Sequence, residues 1–194
     1  MESVPERRPM IRGEHVYLRP AERTDLPAFV RWLSDADVTR NLALRAPISL
    51  AFEEGWFERM LDAQGTTDYH FVICLLADDR PIGTIGLHAV DTLNGSAEFG
   101  IAIGETSEWG KGYGTDATRA IRDFAFAELR LERLSLEVYV GNDRGKRAYA
   151  KAGFVHEATL RHARYQRGAY EDVEIMSIVR DEWLALTRRD GTDR

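Results

Sequence analysis

The segment FGIAIGETSEWGKGYGTDATRAI, residues 99–121, decides the fold. It starts as an alternating apolar run typical of a strand, and it then reaches three glycines at alternate positions, Gly110, Gly112 and Gly114. An apolar pattern with helical spacing follows directly. The first amides of a helix have no intrahelical partner and lie at the positive end of the helix dipole. A glycine loop at this junction therefore predicts an anion-binding site.

Length and composition indicate one compact domain and exclude several functional classes. The chain has 194 residues, of which 44% are hydrophobic and 30% charged. A net charge of −6 without a basic block argues against a nucleic-acid binder. No apolar run approaches the roughly 18 residues of a membrane span, and the first residues lack the apolar core of a signal peptide. The single cysteine, Cys74, cannot form an internal disulfide, which fits a cytoplasmic location.

The hydrophobic pattern around this segment predicts an α/β fold in the order β-α-α-β-β-β-α-β-α-β-β. Three consecutive strands with short turns indicate antiparallel pairing, and the later strand-helix-strand crossing indicates a parallel pair. The predicted strands are 15–20, 68–76, 82–90, 97–103, 133–139, 154–165 and 169–178, and the predicted helices are 26–33, 49–61, the segment after the glycine loop, and 142–152. We expect a domain over 13–183, with terminal tails at 1–12 and 184–194.

Two common phosphate-binding motifs fit the loop poorly. A Walker A loop needs Ser or Thr after its lysine, but Gly112 follows Lys111. Residues 112–117 formally match the dinucleotide pattern G-x-G-x-x-A. The preceding elements, however, form an antiparallel meander and not the opening βαβ unit of a Rossmann half.

A third comparison fits the loop best. Trp109-Gly110-Lys111-Gly112-Tyr113-Gly114 resembles the acetyl-CoA pyrophosphate loop, Q/R-x-x-G-x-G/A, of the GNAT (Gcn5-related N-acetyltransferase) superfamily. Tryptophan at the first position is typical of its ribosomal-protein N-terminal acetyltransferase-like (RimJ/RimL-like) branch.

A second stretch carries the same resemblance. VGNDRGKRAYAKAGF, residues 140–154, is similar to the branch signature N-x-x-S-x-x-x-Y-x-K-x-G-F, with Gly145 at the usual serine position. The matching residues are Asn142, Tyr149, Lys151, Gly153 and Phe154. The ending RYQRGAYEDVEIMSI, residues 164–178, resembles the closing hairpin of the branch. The resemblance extends over roughly residues 13–183.

The resemblance implies an acetyl-CoA-dependent N-acetyltransferase with a mixed, mostly antiparallel sheet of about seven strands flanked by four helices. The fourth strand would pair with the pantetheine arm and supply an N–H to the thioester carbonyl, while the glycine loop would hold the pyrophosphate. The residues that it assigns to cofactor binding are Ile101, Ala102, Ile103, Trp109, Gly110, Lys111, Gly112, Tyr113, Gly114, Thr115, Asn142, Lys146 and Lys151.

The resemblance also suggests the catalytic groups. Tyr149 matches the family tyrosine, and a phenol can donate a proton to the departing thiolate. Glu98 has the spacing from Gly112 of the catalytic glutamate in the histone-acetylating relatives. A buried carboxylate there could take the proton of the amine directly or through water. An ordered water acting without Glu98 is the alternative.

The acceptor stays open between a protein N-terminus, a polyamine and another amino metabolite, with branch resemblance favouring the first. The aromatic residues Trp32, Phe52, Trp56 and Phe57 would border its site, and His70 and His88 lie on strands that could face it. The five histidines show no metal-binding spacing, so we expect no metal. The closing hairpin could mediate homodimer formation. A catalytically inactive acyl-CoA-binding sensor is the second functional hypothesis.

Overall fold

An eight-stranded sheet with helices on both faces forms the frame of the protein. The computed structural model describes residues 9–192. Its strands are β1 (Ile11–Arg12), β2 (Val16–Pro20), β3 (Tyr69–Leu75), β4 (Pro81–Asp91), β5 (Ser96–Ile103), β6 (Arg133–Tyr139), β7 (Val155–Gln166) and β8 (Ala169–Val179). Its α-helices are α1 (Leu26–Leu33), α2 (Ala36–Thr39), α3 (Leu50–Ala63), α4 (Tyr113–Ala127), α5 (Asp143–Lys151) and α6 (Arg180–Thr192).

The predicted class is confirmed, and the element count differs at three places. The two-residue strand β1 pairs with β2, the short helix α2 follows α1, and α6 continues directly from β8. Residues 11–12 and 184–192, expected as parts of tails, therefore form a strand and most of a helix. Of the remaining tail residues, 1–8 and 193–194 lie outside the described residues.

The strand order is β1-β2-β3-β4-β5-β6-β8-β7, and only β5 and β6 pair in parallel. The crossover between them contains the glycine loop and α4. Their pairing spans three residue pairs, from Ser96–Arg133 to Glu98–Ser135. From Phe99 onward, this edge of β5 has no strand partner among residues 9–192. The sheet therefore opens where β5 approaches the glycine loop.

Each face of the sheet carries its own hydrophobic cluster. On one face, α4 contributes Ile121 and Phe126 to a core that includes Leu134 of β6. On the other face, α1 and α3 pack on β2 and β3 through Phe29, Phe57 and neighbouring residues. Both faces are thus buried around the central strands.

None of the helices within residues 9–192 combines the length and the apolar character needed to cross a membrane.

Candidate active site

The opening between β5 and β6 forms a groove of about 500 Å³. Its walls are residues 99–103 of β5, the end of β6, the glycine loop and α5. Its lining contains several cationic side chains, namely Arg144, Arg147, Lys151 and Arg164. Backbone donors at the start of α4 and these cations make the groove suited to an anionic, elongated ligand.

The glycine loop has the backbone conformation that its sequence predicts. Gly110 and Gly112 have φ angles of +77° and +91°, in the left-handed region that favours glycine. Nothing lies within 4 Å of a Cβ built at either residue, so both leave open space beside the groove. Gly112 is the N-cap of α4, and the amides of residues 113–115 form its first turn. The loop thus presents unpaired donors without side chains in their way.

Side-chain contacts hold the loop against the sheet. The indole Nε1 of Trp109 donates to the carbonyl of Ile103, at 2.8 Å, and the guanidinium of Arg144 lies 3.6 Å from the Trp109 ring centroid. Buried Glu108 accepts from Arg80 at 2.8 Å and from Lys111 at 2.9 Å. These two cations, Arg80 first, lower the pKa of Glu108. The hydrogen bond from Trp109 to Ile103 ties the loop to the end of β5.

Tyr149 lies in the groove wall opposite β5. Its ring packs edge-on against Phe99 with centroids 5.9 Å apart, and only 9% of the residue is exposed. Burial raises the pKa of Tyr149 to about 12. The phenol is therefore protonated throughout the physiological range, as a proton donor must be.

A second cavity of about 380 Å³ lies on the α1 and α3 side of the sheet. It shares Gly100, Ile101 and Ala102 with the groove, so the two cavities meet at β5. Its walls are largely aromatic and aliphatic. Trp32 packs on Gly104, where an added Cβ would lie 2.2 Å from the indole, and its Nε1 donates to Glu105 at 2.8 Å. This contact fixes α1 beside the end of β5.

Two histidines that line the second cavity lie beside Asp68, which is outside the cavity lining. The rings of His70 and His88 have centroids 4.8 Å apart, and His88 Nδ1 is 3.3 Å from Asp68 Oδ1. Burial and then the neighbouring His88 lower the pKa of His70 to about 4, so His70 is neutral at physiological pH. A Cβ at Gly86 or Gly100 would lie 3.2 or 3.4 Å from His88 Nε2. Gly86 and Gly100 are cross-strand partners, and the absence of side chains at both leaves room for the His88 ring.

A family model described as an Acetyltransferase (GNAT) domain matches residues 15–155. The chain belongs to the GNAT acetyltransferase family. It is 30% identical to the probable N-acetyltransferase YjcK of Bacillus subtilis (strain 168) over 178 residues, 88% of this chain and 97% of that protein. The putative ribosomal N-acetyltransferase YdaF of the same strain is 36% identical over 109 residues, covering 56% of this chain and 59% of that one.

Among solved structures, the GNAT fold of this chain matches the spermidine N-acetyltransferase of Vibrio cholerae in complex with CoA and spermine. The TM-score is 0.80 at 25% identity, with 87% of this chain and 98% of the other covered. GNAT acetyltransferases use acetyl-CoA, and the glycine loop with the cationic groove fits the phosphates of that cosubstrate. The chain is an acetyl-CoA-dependent N-acetyltransferase.

The predicted cofactor residues fall into two groups, those that line the groove and those that do not. Nearly all of them line it: Ile101, Ala102, Ile103, Trp109, Gly110, Gly112, Tyr113, Gly114, Thr115, Asn142 and Lys151. Lys111 and Lys146 do not, and their ammonium groups pair with Glu108 and with Glu174, the latter at 3.2 Å. Local spacing can suggest the pair of Lys111 with Glu108, three residues away, but it cannot reveal the pair of Lys146 with Glu174, which is distant in sequence.

Asn142 and Gly145 form a local unit at the start of α5. The Asn142 side chain accepts from the Gly145 amide at 3.0 Å and so caps the helix. A Cβ at Gly145 would lie 2.7 Å from Asn142 Nδ2. A serine at this position would therefore require the Asn142 amide to shift. Glycine in place of the usual serine at position 145 therefore lets the Asn142 side chain approach and cap the helix.

Two of the expectations for the acceptor side differ from the structure. Of the predicted aromatic border, Trp32, Phe52 and Trp56 line the second cavity, whereas Phe57 packs in the core. Glu98 is exposed and lines neither cavity, so the expected burial of its carboxylate is wrong.

The cluster of Asp68, His70 and His88 was missed because its members come from two strands and a turn. Their ligand atoms all lie within 4.8 Å of one another, which is a geometry that could hold a metal ion. The absence of a metal stays a prediction from sequence spacing alone.

Glu53 was missed as well. It lies on α3 with only 5% of its surface exposed and lines the second cavity. The pattern was visible in the sequence, because Glu53, Phe57 and Met60 follow helical spacing, so a carboxylate occupies an apolar stripe.

Proposed function

We propose that this protein transfers the acetyl group of acetyl-CoA to a primary amine, with Tyr149 protonating the CoA thiolate. The observation that carries the proposal is the junction of the two cavities at residues 100–102 of β5. A cosubstrate in the groove and an acceptor in the second cavity would reach the same stretch of backbone from opposite sides. This geometry suits direct attack of the amine on the thioester, which supplies the activated acetyl group.

The unpaired edge of β5 supports a role for its backbone in catalysis. Beyond Glu98 this edge has lost its parallel partner β6, so amides between residues 99 and 103 are available to a ligand. An amide donor at the thioester carbonyl would stabilise the negative charge that develops there during attack. Tyr149, across the groove, would donate its phenolic proton to the departing sulfur.

Two groups are candidates to take the proton of the amine. Glu98, the candidate from sequence, is exposed and outside both cavities. His88 is its direct cross-strand partner, and it lines the second cavity. A hydrogen bond from His88 Nδ1–H to Asp68 would leave Nε2 as the basic atom, facing the glycine floor beside β5. These contacts support His88 as the base, with Glu98 kept as the competing proposal.

The acceptor is proposed to be a protein N-terminus, a polyamine or another amino metabolite. Similarity to YdaF supports the RimJ/RimL-like branch, and the spermidine N-acetyltransferase of V. cholerae supports a small amine. A cytoplasmic location and a homodimer stay predictions from the sequence.

Thiol release from acetyl-CoA against a panel of amines tests this proposal. The panel holds polyamines, peptides with free N-termini, amino sugars and free amino acids. We expect saturable turnover with one class and a wild-type activity that requires Tyr149. If CoA binds and no amine is acetylated, the proposed transfer is wrong and the acyl-CoA sensor takes its place.

A further inference from the structure

Glu53 is an unusual residue for the position that it occupies. It lies on the buried face of α3, one turn before Phe57, and is 95% buried because only 5% of its surface is exposed. Its carboxylate has no hydrogen bond or ion pair to any of the residues that the structure describes, and its oxygens keep contact with solvent, because none of the fully buried side-chain oxygens among these residues lacks a partner. Burial raises the pKa of Glu53. An unpaired acid in an apolar stripe costs stability, so a role in binding would explain its presence.

The surroundings of Glu53 suit a positive charge. Among the described residues that line the second cavity, Glu53 is the only carboxylate, and none is a lysine or arginine. The rings of Phe29 and Trp56 also line this cavity, with centroids 6.3 Å apart, and an alkylammonium group is attracted to such faces. The cavity therefore combines one carboxyl group with aromatic walls.

The reacting amine is a poorer partner for this carboxylate than a permanently charged group. It has to lose its proton to attack the thioester, and that attack takes place at β5, where the cavity meets the groove. Glu53 belongs to α3, which forms another part of the cavity wall than β5. A charge that stays on the acceptor during the reaction is a better match for Glu53.

We propose that Glu53 binds a second, protonated amine of the acceptor, so that the preferred acceptors are aliphatic diamines or polyamines. This inference rests on the proposed acetyl transfer to an amine in the second cavity. The carboxylate and the aromatic rings would hold the distal ammonium while the other end of the chain reaches β5. A charge-assisted hydrogen bond replaces the missing partner of Glu53 and lowers its cost of burial.

The test compares a short α,ω-diaminoalkane with the n-alkylamine of equal chain length, across a series of lengths. For the wild type we expect the diamine to be preferred in kcat/KM by about 10- to 100-fold. Glu53→Gln should remove this preference by raising the KM of the diamine, with kcat and the alkylamine kinetics little changed. Glu54→Gln is the matched control, because Glu54 is the exposed neighbour of Glu53 on the same helix turn. It should retain the preference.

A second variant separates recognition from folding. Glu53→Leu should raise the melting temperature, since it replaces an unpaired buried acid with an apolar side chain, and it should also abolish the diamine preference. A preference that survives in Glu53→Gln, or a lower melting temperature in both Glu53 variants, would overturn the inference. If no variant acetylates either amine, the transfer proposal has failed instead. Calorimetry of the diamine binding to the CoA complex then decides the role of Glu53, whose Gln variant should bind it more weakly.

Discussion

The two cavities that meet at β5 differ in how they are built. The groove is formed largely by backbone, with glycines at positive φ and the first amides of α4, and its lining holds four cationic side chains against two carboxylates, Glu108 and Glu137. The second cavity is formed by side chains from α1, α3 and two strands, and its one carboxylate is buried. The groove therefore suits an anionic cosubstrate that stays the same. The acceptor specificity of the second cavity, in contrast, can change when a single lining side chain is substituted.

The largest effect is expected from closing the groove at its backbone. Gly112→Glu puts bulk and negative charge where the phosphates would lie, so CoA binding should be lost in isothermal calorimetry. Gly168→Glu is the matched control, because Gly168 has a φ of +87° and equally open surroundings, outside both cavities. It introduces the same charge and a similar backbone strain, and it should bind CoA normally. A folded Gly112→Glu protein with wild-type affinity would exclude the loop as the phosphate site.

The next effect concerns the junction between the cavities. Tyr149→Phe removes the proposed proton donor and keeps the ring against Phe99, so kcat should fall by about 10²- to 10³-fold. The dissociation constant of CoA, measured by calorimetry, should stay within a few-fold. Because the pKa of Tyr149 is about 12, the wild-type rate should show no loss from phenol ionisation below about pH 11. A wild-type kcat in this variant would mean that another group protonates the thiolate.

The same contrast explains how much of the molecule the sequence could predict. The glycine loop and the Asn142–Tyr149 helix are local motifs, because turn chemistry and helix starts are properties of neighbouring residues. The meander and the crossover followed from periodicity, and α6 was missed because no turn residue separates it from β8. The acceptor side depends on long-range pairing, such as that of His88 with Asp68, which no spacing rule contains. Exposure of Glu98 likewise follows from the face of the sheet on which it lies.

The smallest expected effect separates the two candidate bases. Glu98 and His88 are cross-strand partners on one face of the sheet, so Glu98→Gln and His88→Gln change adjacent positions with similar side-chain size. We expect His88→Gln to lower kcat/KM by about 10- to 100-fold at neutral pH, and Glu98→Gln to have little effect. The loss in His88→Gln should be smaller than that in Tyr149→Phe, because a fraction of the acceptor amine reaches the site already neutral and needs no base.

The pH dependence makes this comparison decisive. As the pH approaches the pKa of the acceptor amine, more acceptor arrives already deprotonated, so a missing base should matter less and the deficit of the variant should shrink. A merely structural defect would lower the rate by the same factor at every pH. If Glu98→Gln shows the shrinking deficit and His88→Gln does not, the exposed carboxylate is the base, and the cluster of His88 with Asp68 serves the cavity in another way. Wild-type rates in both variants at every pH would instead favour an ordered water as the proton acceptor.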